Sequence, residues 1–166
     1  MTRRSEIVSV TAPASKSASH RYLIGAALAR GVSRVRHTLE CRDLERTRTI
    51  LCAAGAAMNP LPDGDGWEVR GMIAPRGGDA PDGALSCDVR ESGTTCRLLT
   101  AVLAAGKGFF HIHGAGRMHE RPIGELAHAL VRLGAEIRFG RKPDCPPLLV
   151  CARGLDPARC GGGLRI

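Results

Sequence analysis

Basic side chains stand near the starts of three predicted helices, a place that helix electrostatics disfavours for cations. These starts lie at residues 15–21, 91–97 and 117–123. A helix N-terminus presents unpaired N–H groups and a partial positive charge, so acidic side chains are favoured there. Arg21 and Arg97 lie about one turn into their helices, and a helical side chain points back toward the N-terminus. The pattern predicts a site for an anion such as a phosphate or a carboxylate.

The elements that position these cations form an internal repeat with a period of about 75 to 79 residues. Residues 17–31 resemble residues 92–106, since each segment opens with Ser or Thr, places an Arg early and runs through apolar residues to a Gly. Residues 47–56 resemble residues 126–135 in the same way, and each segment ends at Gly-Ala. Ser and Thr are N-cap residues and Gly follows helix ends, so both pairs of segments are predicted helices.

Short β-prone runs separate and follow these helices, at residues 33–36, 67–70, 108–113, 136–139 and 148–151. The expected fold is therefore α/β, built of repeated strand–helix–strand–helix–strand–strand (βαβαββ) units, of which two are present. Unit one covers about residues 12–84 and unit two about residues 85–160. Pro122 is a favourable first helical residue, which predicts that the last helix begins beside Arg121.

Composition favours a small anionic substrate over nucleic acid. The 166-residue chain has 43% hydrophobic and 24% charged residues, which is typical of a globular protein. Its net charge of +8 first suggests nucleic acid as a partner. The charge is spread along the chain, however, and an aromatic content of 3% leaves few stacking platforms for bases. Nucleic-acid binding therefore remains only an alternative.

The chain shows no apolar stretch of membrane-spanning length and no targeting signal, which predicts a soluble cytoplasmic protein with no membrane partner. Its seven cysteines are odd in number and form no C-x-x-C pair, so they are expected to be free thiols in a reducing compartment. Cys52, Cys96 and Cys151 lie in apolar runs and are expected to be buried.

These motifs, in this order, resemble the 5-enolpyruvylshikimate-3-phosphate synthase family across essentially the whole chain. The matching segments are residues 15–21, 91–97, 117–123, 133–137 and 146–148. The resemblance implies an enolpyruvyl transferase-like fold and a 3-phosphoshikimate 1-carboxyvinyltransferase activity. In that reaction the enolpyruvyl group of phosphoenolpyruvate passes to the 5-hydroxyl of shikimate 3-phosphate and phosphate is released. The resemblance implies no metal and no cofactor.

In unit one, the resemblance assigns roles to three residues near the start of the first helix. Lys16 is expected to contact phosphoenolpyruvate and to be the catalytic residue of this part of the enzyme. Ser17 and Arg21 are expected to hold shikimate 3-phosphate. Both substrates carry several negative charges, so these assignments agree with the anion site predicted from the cations.

In unit two, the resemblance assigns Gly93 and Thr94 to the substrate site, with Gly93 letting the backbone approach phosphoenolpyruvate. Arg97 and Arg121 are expected to neutralise substrate charge. The chain departs from the family at Glu91, since the family often has Asn-Ala-Gly-Thr where this chain has Glu-Ser-Gly-Thr. An acidic side chain beside a phosphate site is unfavourable, so Glu91 is expected to pair with a nearby cation.

Other candidate residues have a structural interpretation that is favoured over a functional one. His111 and His113 lie on one face of a predicted strand, but without a third ligand nearby an exposed pair is favoured over a metal site. Cys96 is expected to pack in the core rather than act as a nucleophile. His20 flanks the predicted site and is expected either to tune it or to cap the helix.

The family's enzymes have two domains of three units each, whereas this chain has two units. We therefore interpret residues 1–166 as a partial N-terminal domain without the second domain, and as inactive alone. An apolar surface left by the missing unit predicts possible self-association. Two alternatives remain: a non-catalytic anion-binding module, and a UDP-N-acetylglucosamine enolpyruvyl transferase. The second typically has Lys-Asn where this chain has Lys16-Ser17.

Overall fold

Helices and strands alternate along the described part of the chain, residues 12–160 of a computed structural model. The helices are α1 Lys16–Leu28, α2 Arg42–Ala53, α3 Gly93–Ala104 and α4 Gly124–Arg132. The strands are β1 Val32–Arg36, β2 Ala57–Pro60, β3 Gly66–Arg70, β4 Leu85–Asp88, β5 Lys107–His113, β6 Glu136–Phe139 and β7 Leu148–Arg153. Two 3₁₀ turns cover Gly116–Glu120 and Pro157–Cys160. None of the described helices is long and apolar enough to cross a membrane.

The two sheets repeat one topology. In the first sheet the order is β1-β3-β2, and both pairs of neighbours are antiparallel. In the second sheet β5-β7-β6 reproduces that order and direction, and β4 joins β5 in parallel. The predicted α/β fold of repeated units is therefore confirmed. The strand that the repeat places ahead of α1 lies outside the described residues, and the unit boundaries stay a prediction.

A single core lies between the helices and the inner faces of the sheets. Its largest fully buried side chains include Leu23 of α1, Leu51 of α2, Leu99 of α3 and Phe110 and Ile112 of β5. The strand residues follow the period of two expected for a sheet with one buried face. The helices pack in chain order, α1 on α2, α2 on α3 and α3 on α4. This row brings the N-terminal ends of α1, α2 and α3 into one region.

Hydroxyl caps start α1 and α3, as the sequence predicts. Ser15 Oγ accepts the Ala18 N–H at 3.3 Å, and Ser92 Oγ accepts the Thr95 N–H at 3.2 Å. Each cap satisfies an N–H group that has no partner inside its helix. The remaining free N–H groups of both first turns stay available to a ligand.

Two sequence predictions about local structure and burial are wrong. Arg121 is extended and α4 begins at Gly124, so Pro122 is not its first residue. The Ile123 N–H donates to the Asp144 carbonyl at 2.7 Å, which holds this segment outside the helix. Cys52 is exposed rather than buried, because its position on α2 faces away from the buried side that contains Leu51.

Candidate active site

The ammonium group of Lys16 forms an ion pair with the carboxylate of Asp43. Lys16 lies in the first turn of α1 and Asp43 in the first turn of α2, so the pair joins two helix starts. Burial raises the pKa of Asp43, but hydrogen bonds from Lys16 and Ser92 outweigh this and lower it overall. Asp43 is therefore ionised near neutral pH, and it fixes the position of the predicted catalytic ammonium.

The guanidinium groups of Arg97 and Arg121 converge over Gly93, the first residue of α3. A Cβ atom on Gly93 would lie 3.0 Å from Arg97 Nη1 and 3.1 Å from Arg121 Nη1. Arg97 donates to the Gly93 and Pro122 carbonyls, at 3.4 and 2.9 Å, and Arg121 donates to the Glu91 carbonyl at 3.0 Å. Among residues 12–160, neither guanidinium pairs with a carboxylate. Two uncompensated cations therefore meet at a helix N-terminus, as anion binding requires.

Two further contacts hold the starts of α2 and α3 together. Thr95 Oγ1 donates to the backbone carbonyl of Asp43 at 3.2 Å, and it lies 2.9 Å from Thr47 Oγ1 of α2. Lys16, Asp43, Ser92 and Gly93 thus form one continuous line from α1 to α3. The sequence predicts Gly93 as a site residue but assigns no role to Asp43, which the packing of α2 on α3 brings to the start of α3.

Ser17, Arg21 and Thr94 are exposed. Arg21 Nη1 donates to the Ser17 carbonyl at 3.0 Å, so this side chain does point back toward the start of α1. Arg21 thus contacts its own helix, whereas Arg97 and Arg121 both reach Gly93 at the start of α3. The predicted residues therefore divide into a cluster at α3 and a separate cation on α1, with Lys16 and Asp43 between the helices.

Glu91 does not form the expected ion pair with a Lys or Arg side chain of the described residues. Its Oε1 accepts the backbone N–H of Arg117 at 3.3 Å and lies against Gly116. Arg121 contacts the Glu91 carbonyl rather than its carboxylate. Within the described part of the chain, no Lys or Arg side chain forms a salt bridge with this carboxylate. The acidic group is directed toward the 3₁₀ turn, which explains how it is tolerated next to a cationic site.

An open cleft of about 450 Å³ adjoins the Asp43 side of this line. Its lining side chains are mostly charged, and they are Arg42, Asp43, Glu45, Arg46, Arg90 and Glu91. Arg42 and Arg46 lie on α2 and Arg90 follows β4, and sequence reasoning missed them because they belong to no motif. The cleft opens beside the start of α2, and its three arginines are matched by three carboxylates.

The remaining candidates have structural roles. Cys96 is buried in α3, and burial raises its pKa to about 11, so the expected packing role is confirmed. The His111 and His113 rings stack with centroids 5.0 Å apart, and His113 Nε2 hydrogen-bonds with Ser86 Oγ at 2.8 Å. In residues 12–160 there is no group of three or more potential metal-binding side chains.

Acidification is expected to destabilise the fold through His20, which is fully buried. Burial lowers its pKa, nearby Lys16 and Arg21 lower it further, and Asp43 opposes them in part. Between that lowered value and 6.5, the unfolded chain binds a proton that the folded chain does not. The free energy of unfolding therefore falls as pH falls through this window, by at most about 1.4 kcal/mol per pH unit. Urea denaturation from about pH 7.5 to 5.5 measures the slope.

A His20→Asn variant is the control for this slope, since it lacks the titrating ring. It is expected to be less stable at every pH but to show a flatter pH dependence. An equal slope in the variant and the wild type would assign the effect to another group.

Comparison with known proteins identifies relatives of this chain. The family model described as EPSP synthase (3-phosphoshikimate 1-carboxyvinyltransferase) matches residues 5–161. A 3-phosphoshikimate 1-carboxyvinyltransferase of Marinomonas sp. (strain MWYL1) is 38% identical over 143 residues, covering 86% of this chain and 33% of the relative. One from Shewanella loihica (strain ATCC BAA-1088 / PV-4) is 37% identical over 157 residues, covering 95% of this chain and 35% of the relative.

Solved structures agree with the sequence comparison. An EPSP synthase from Acinetobacter baumannii superposes with a TM-score of 0.73 and 26% sequence identity, covering 87% of this chain and 32% of that one. This chain therefore spans about a third of the length of the curated relatives and of the solved structure that it matches.

Proposed function

The chain belongs to the EPSP synthase family, and we propose that it supplies part of the substrate site of a 3-phosphoshikimate 1-carboxyvinyltransferase. That enzyme transfers the enolpyruvyl group of phosphoenolpyruvate to the 5-hydroxyl of shikimate 3-phosphate and releases phosphate. The observation that carries the proposal is the convergence of Arg97 and Arg121 on Gly93 at the start of α3. Both substrates are polyanions, and neither guanidinium pairs with a carboxylate in residues 12–160.

We assign phosphoenolpyruvate to the cluster around Gly93. Arg97 and Arg121 each present a planar fork of N–H donors that matches a carboxylate or a phosphate. Free N–H groups of the first turn of α3, including that of Thr94, face the same anion. Lys16 lies on the neighbouring helix start, and its ammonium is the proposed catalytic cation, held in place by Asp43.

We assign the phosphate of shikimate 3-phosphate to Ser17 and Arg21 on α1. Arg21 is exposed and contacts only a backbone carbonyl among the described residues, so its charge is available to a ligand. The location proposed for the protein is the cytoplasm, and the site needs no cofactor for this chemistry. The two repeat units are proposed to meet near residues 84–85.

A titration of the 166-residue chain with shikimate 3-phosphate, followed by amide NMR, tests this assignment. Saturable shifts are expected around Ser17, Arg21 and Arg97, and sulfate at equal ionic strength should not reproduce them. Arg21→Ala is expected to weaken binding by about tenfold, the loss of one charge-assisted hydrogen bond. Arg30→Ala removes an equal charge from the exposed end beyond α1 and should leave the affinity unchanged. Equal losses in both variants would indicate a general effect of charge.

The 166-residue polypeptide is expected to show no turnover by itself, because it spans about a third of the length of the curated relatives that it matches. Release of phosphate from phosphoenolpyruvate in the presence of shikimate 3-phosphate measures this. Turnover above the rate without protein would contradict the expectation and would place all essential groups in this chain.

Self-association is a further proposal and concerns apolar side chains on the surface. Tyr22, Val32 and Ile73 are exposed by 67%, 50% and 106% of their reference areas. Contact between two copies of the chain would remove this apolar area from water, which favours association. Light scattering over a wide range of protein concentration distinguishes an associating chain from a monomer.

A further inference from the structure

A chain of four buried polar side chains connects three helices beneath the candidate site. His20 Nδ1 lies 3.0 Å from Thr47 Oγ1, which lies 2.9 Å from Thr95 Oγ1, which in turn lies 2.8 Å from Ser92 Oγ. His20, Thr47 and Thr95 have no exposed area, and Ser92 is 3% exposed. In such a dry environment each hydroxyl needs its partners, so the arrangement of protons is strongly constrained.

The contacts of Thr95 determine the direction of the chain. Its hydroxyl has one proton and two lone pairs, and it contacts three groups. The Asp43 carbonyl, 3.2 Å away, can only accept, so it takes the proton. The two lone pairs of Thr95 then accept the hydroxyl protons of Thr47 and Ser92. If Ser92 donates to the Asp43 carboxylate instead, Thr95 donates to Ser92, and Thr47 still donates to Thr95.

The direction at Thr47 determines the tautomer of His20. Because Thr47 donates to Thr95, it has no proton for His20, so His20 Nδ1 must carry the hydrogen and donate it to Thr47. Nε2 then has a lone pair and no hydrogen. In residues 12–160, His20 Nε2 is the one buried side-chain nitrogen or oxygen without a hydrogen-bond partner. An unpaired acceptor is tolerated more often than an unpaired N–H donor, which agrees with this tautomer.

We propose that His20, Thr47 and Thr95 are positioning residues of the anion site, acting through a one-way hydrogen-bond chain from His20 Nδ1–H through Thr47 to the Thr95 hydroxyl, which contacts Asp43 and Ser92. The chain fixes the start of α3, with Gly93, against the start of α2, whose Asp43 holds Lys16. It contains no charged group, so it adds no counter-charge to the anion site. The part of this proposal that concerns ligand affinity rests on the proposed function, whereas the hydrogen-bond direction does not.

The tautomer is tested directly on the unsubstituted chain. The ¹⁵N resonances of the His20 ring near pH 7.5 are expected to show a protonated Nδ1 and an unprotonated Nε2. A hydrogen on Nε2 would overturn the proposed direction, because Thr47 would then donate to His20 and not to Thr95. This measurement needs no ligand and no variant.

The positioning role is tested with Thr95→Val, which replaces the hydroxyl by a methyl of similar size. The matched control is Thr100→Val, since Thr100 is equally buried in α3 and its hydroxyl donates only to the Cys96 carbonyl of the same helix. Thr95→Val is expected to shift the amide resonances of Lys16 and Gly93 and to weaken binding of shikimate 3-phosphate or phosphoenolpyruvate by about tenfold. Thr95→Ser, which keeps the hydroxyl, should restore both.

The outcomes separate this proposal from the proposed function. Equal shifts at Lys16 and Gly93 in Thr95→Val and Thr100→Val would overturn the positioning role. If the unsubstituted chain binds neither ligand, the proposed function fails, while the tautomer and the amide shifts still decide the positioning role. If Thr95→Val does not fold, Thr47→Val applies the same test from α2.

Discussion

Replacing Phe110 with alanine is expected to lower the free energy of unfolding by about 3–5 kcal/mol, the range for removing a large aromatic side chain from a core. Phe110 is fully buried in the central part of the second sheet, on β5 between β4 and β7. It belongs to the single core that also contains Leu99 and Ile112. Because α3 packs on the same core, loss of the Phe110 ring should also disorder the start of α3, where Gly93 lies. Urea denaturation of both proteins gives the difference.

Phe109→Ala is the matched control, since it removes the same atoms from the preceding residue. Phe109 points to the opposite face of β5 and is only half-buried, lying near Pro81. Removing its ring is expected to lower the free energy of unfolding by about 1 kcal/mol, because the half-buried ring keeps less apolar area out of water than Phe110 does. The two variants change the unfolded chain almost equally, so the difference between them measures burial. Equal losses would mean that the greater burial of Phe110 does not determine its contribution to stability.

The fold was largely predictable because local signals agreed with each other. The hydroxyl residues Ser15 and Ser92 cap the two helices that the repeat paired, and Gly55 and Gly134 follow the ends of α2 and α4. The β-prone run at residues 108–113 placed β5, Lys107–His113, within about one residue. These features depend on neighbours in sequence, which is why one sequence is enough to read them.

The parts that sequence did not predict depend on contacts between distant residues. Asp43 has the ordinary composition of an acidic helix start, and only the packing of α1 on α2 shows that it holds Lys16, 27 residues away. The hydroxyl pair of Thr47 and Thr95 joins residues 48 positions apart. Pro122 led to a wrong prediction of where α4 begins, because its fixed φ angle suits an extended segment as well as a first helical turn.

Replacing Gly93 with alanine is expected to weaken binding of phosphoenolpyruvate by at least about tenfold, with shikimate 3-phosphate present, while the fold is retained. The added Cβ would meet Arg97 Nη1 at 3.0 Å and Arg121 Nη1 at 3.1 Å. Both atoms are ends of flexible, exposed side chains, so they can move away. The movement separates the two cations from the start of α3, where they and the helix N–H groups act on the same anion.

Gly25→Ala provides the control, because a Cβ on Gly25 would meet nothing within 4 Å and the residue lies inside α1. This change should stabilise the helix by roughly 0.5–1 kcal/mol and leave the affinity unchanged. Calorimetric titration measures affinity, and denaturation measures stability. If Gly93→Ala binds as tightly as the unsubstituted chain, the converging arginines do not form the phosphoenolpyruvate site. If it binds more weakly only because it unfolds, its stability loss will account for the change. If Gly93→Ala binds phosphoenolpyruvate more weakly and its stability is unchanged, the site lies at Gly93, between the two guanidinium groups.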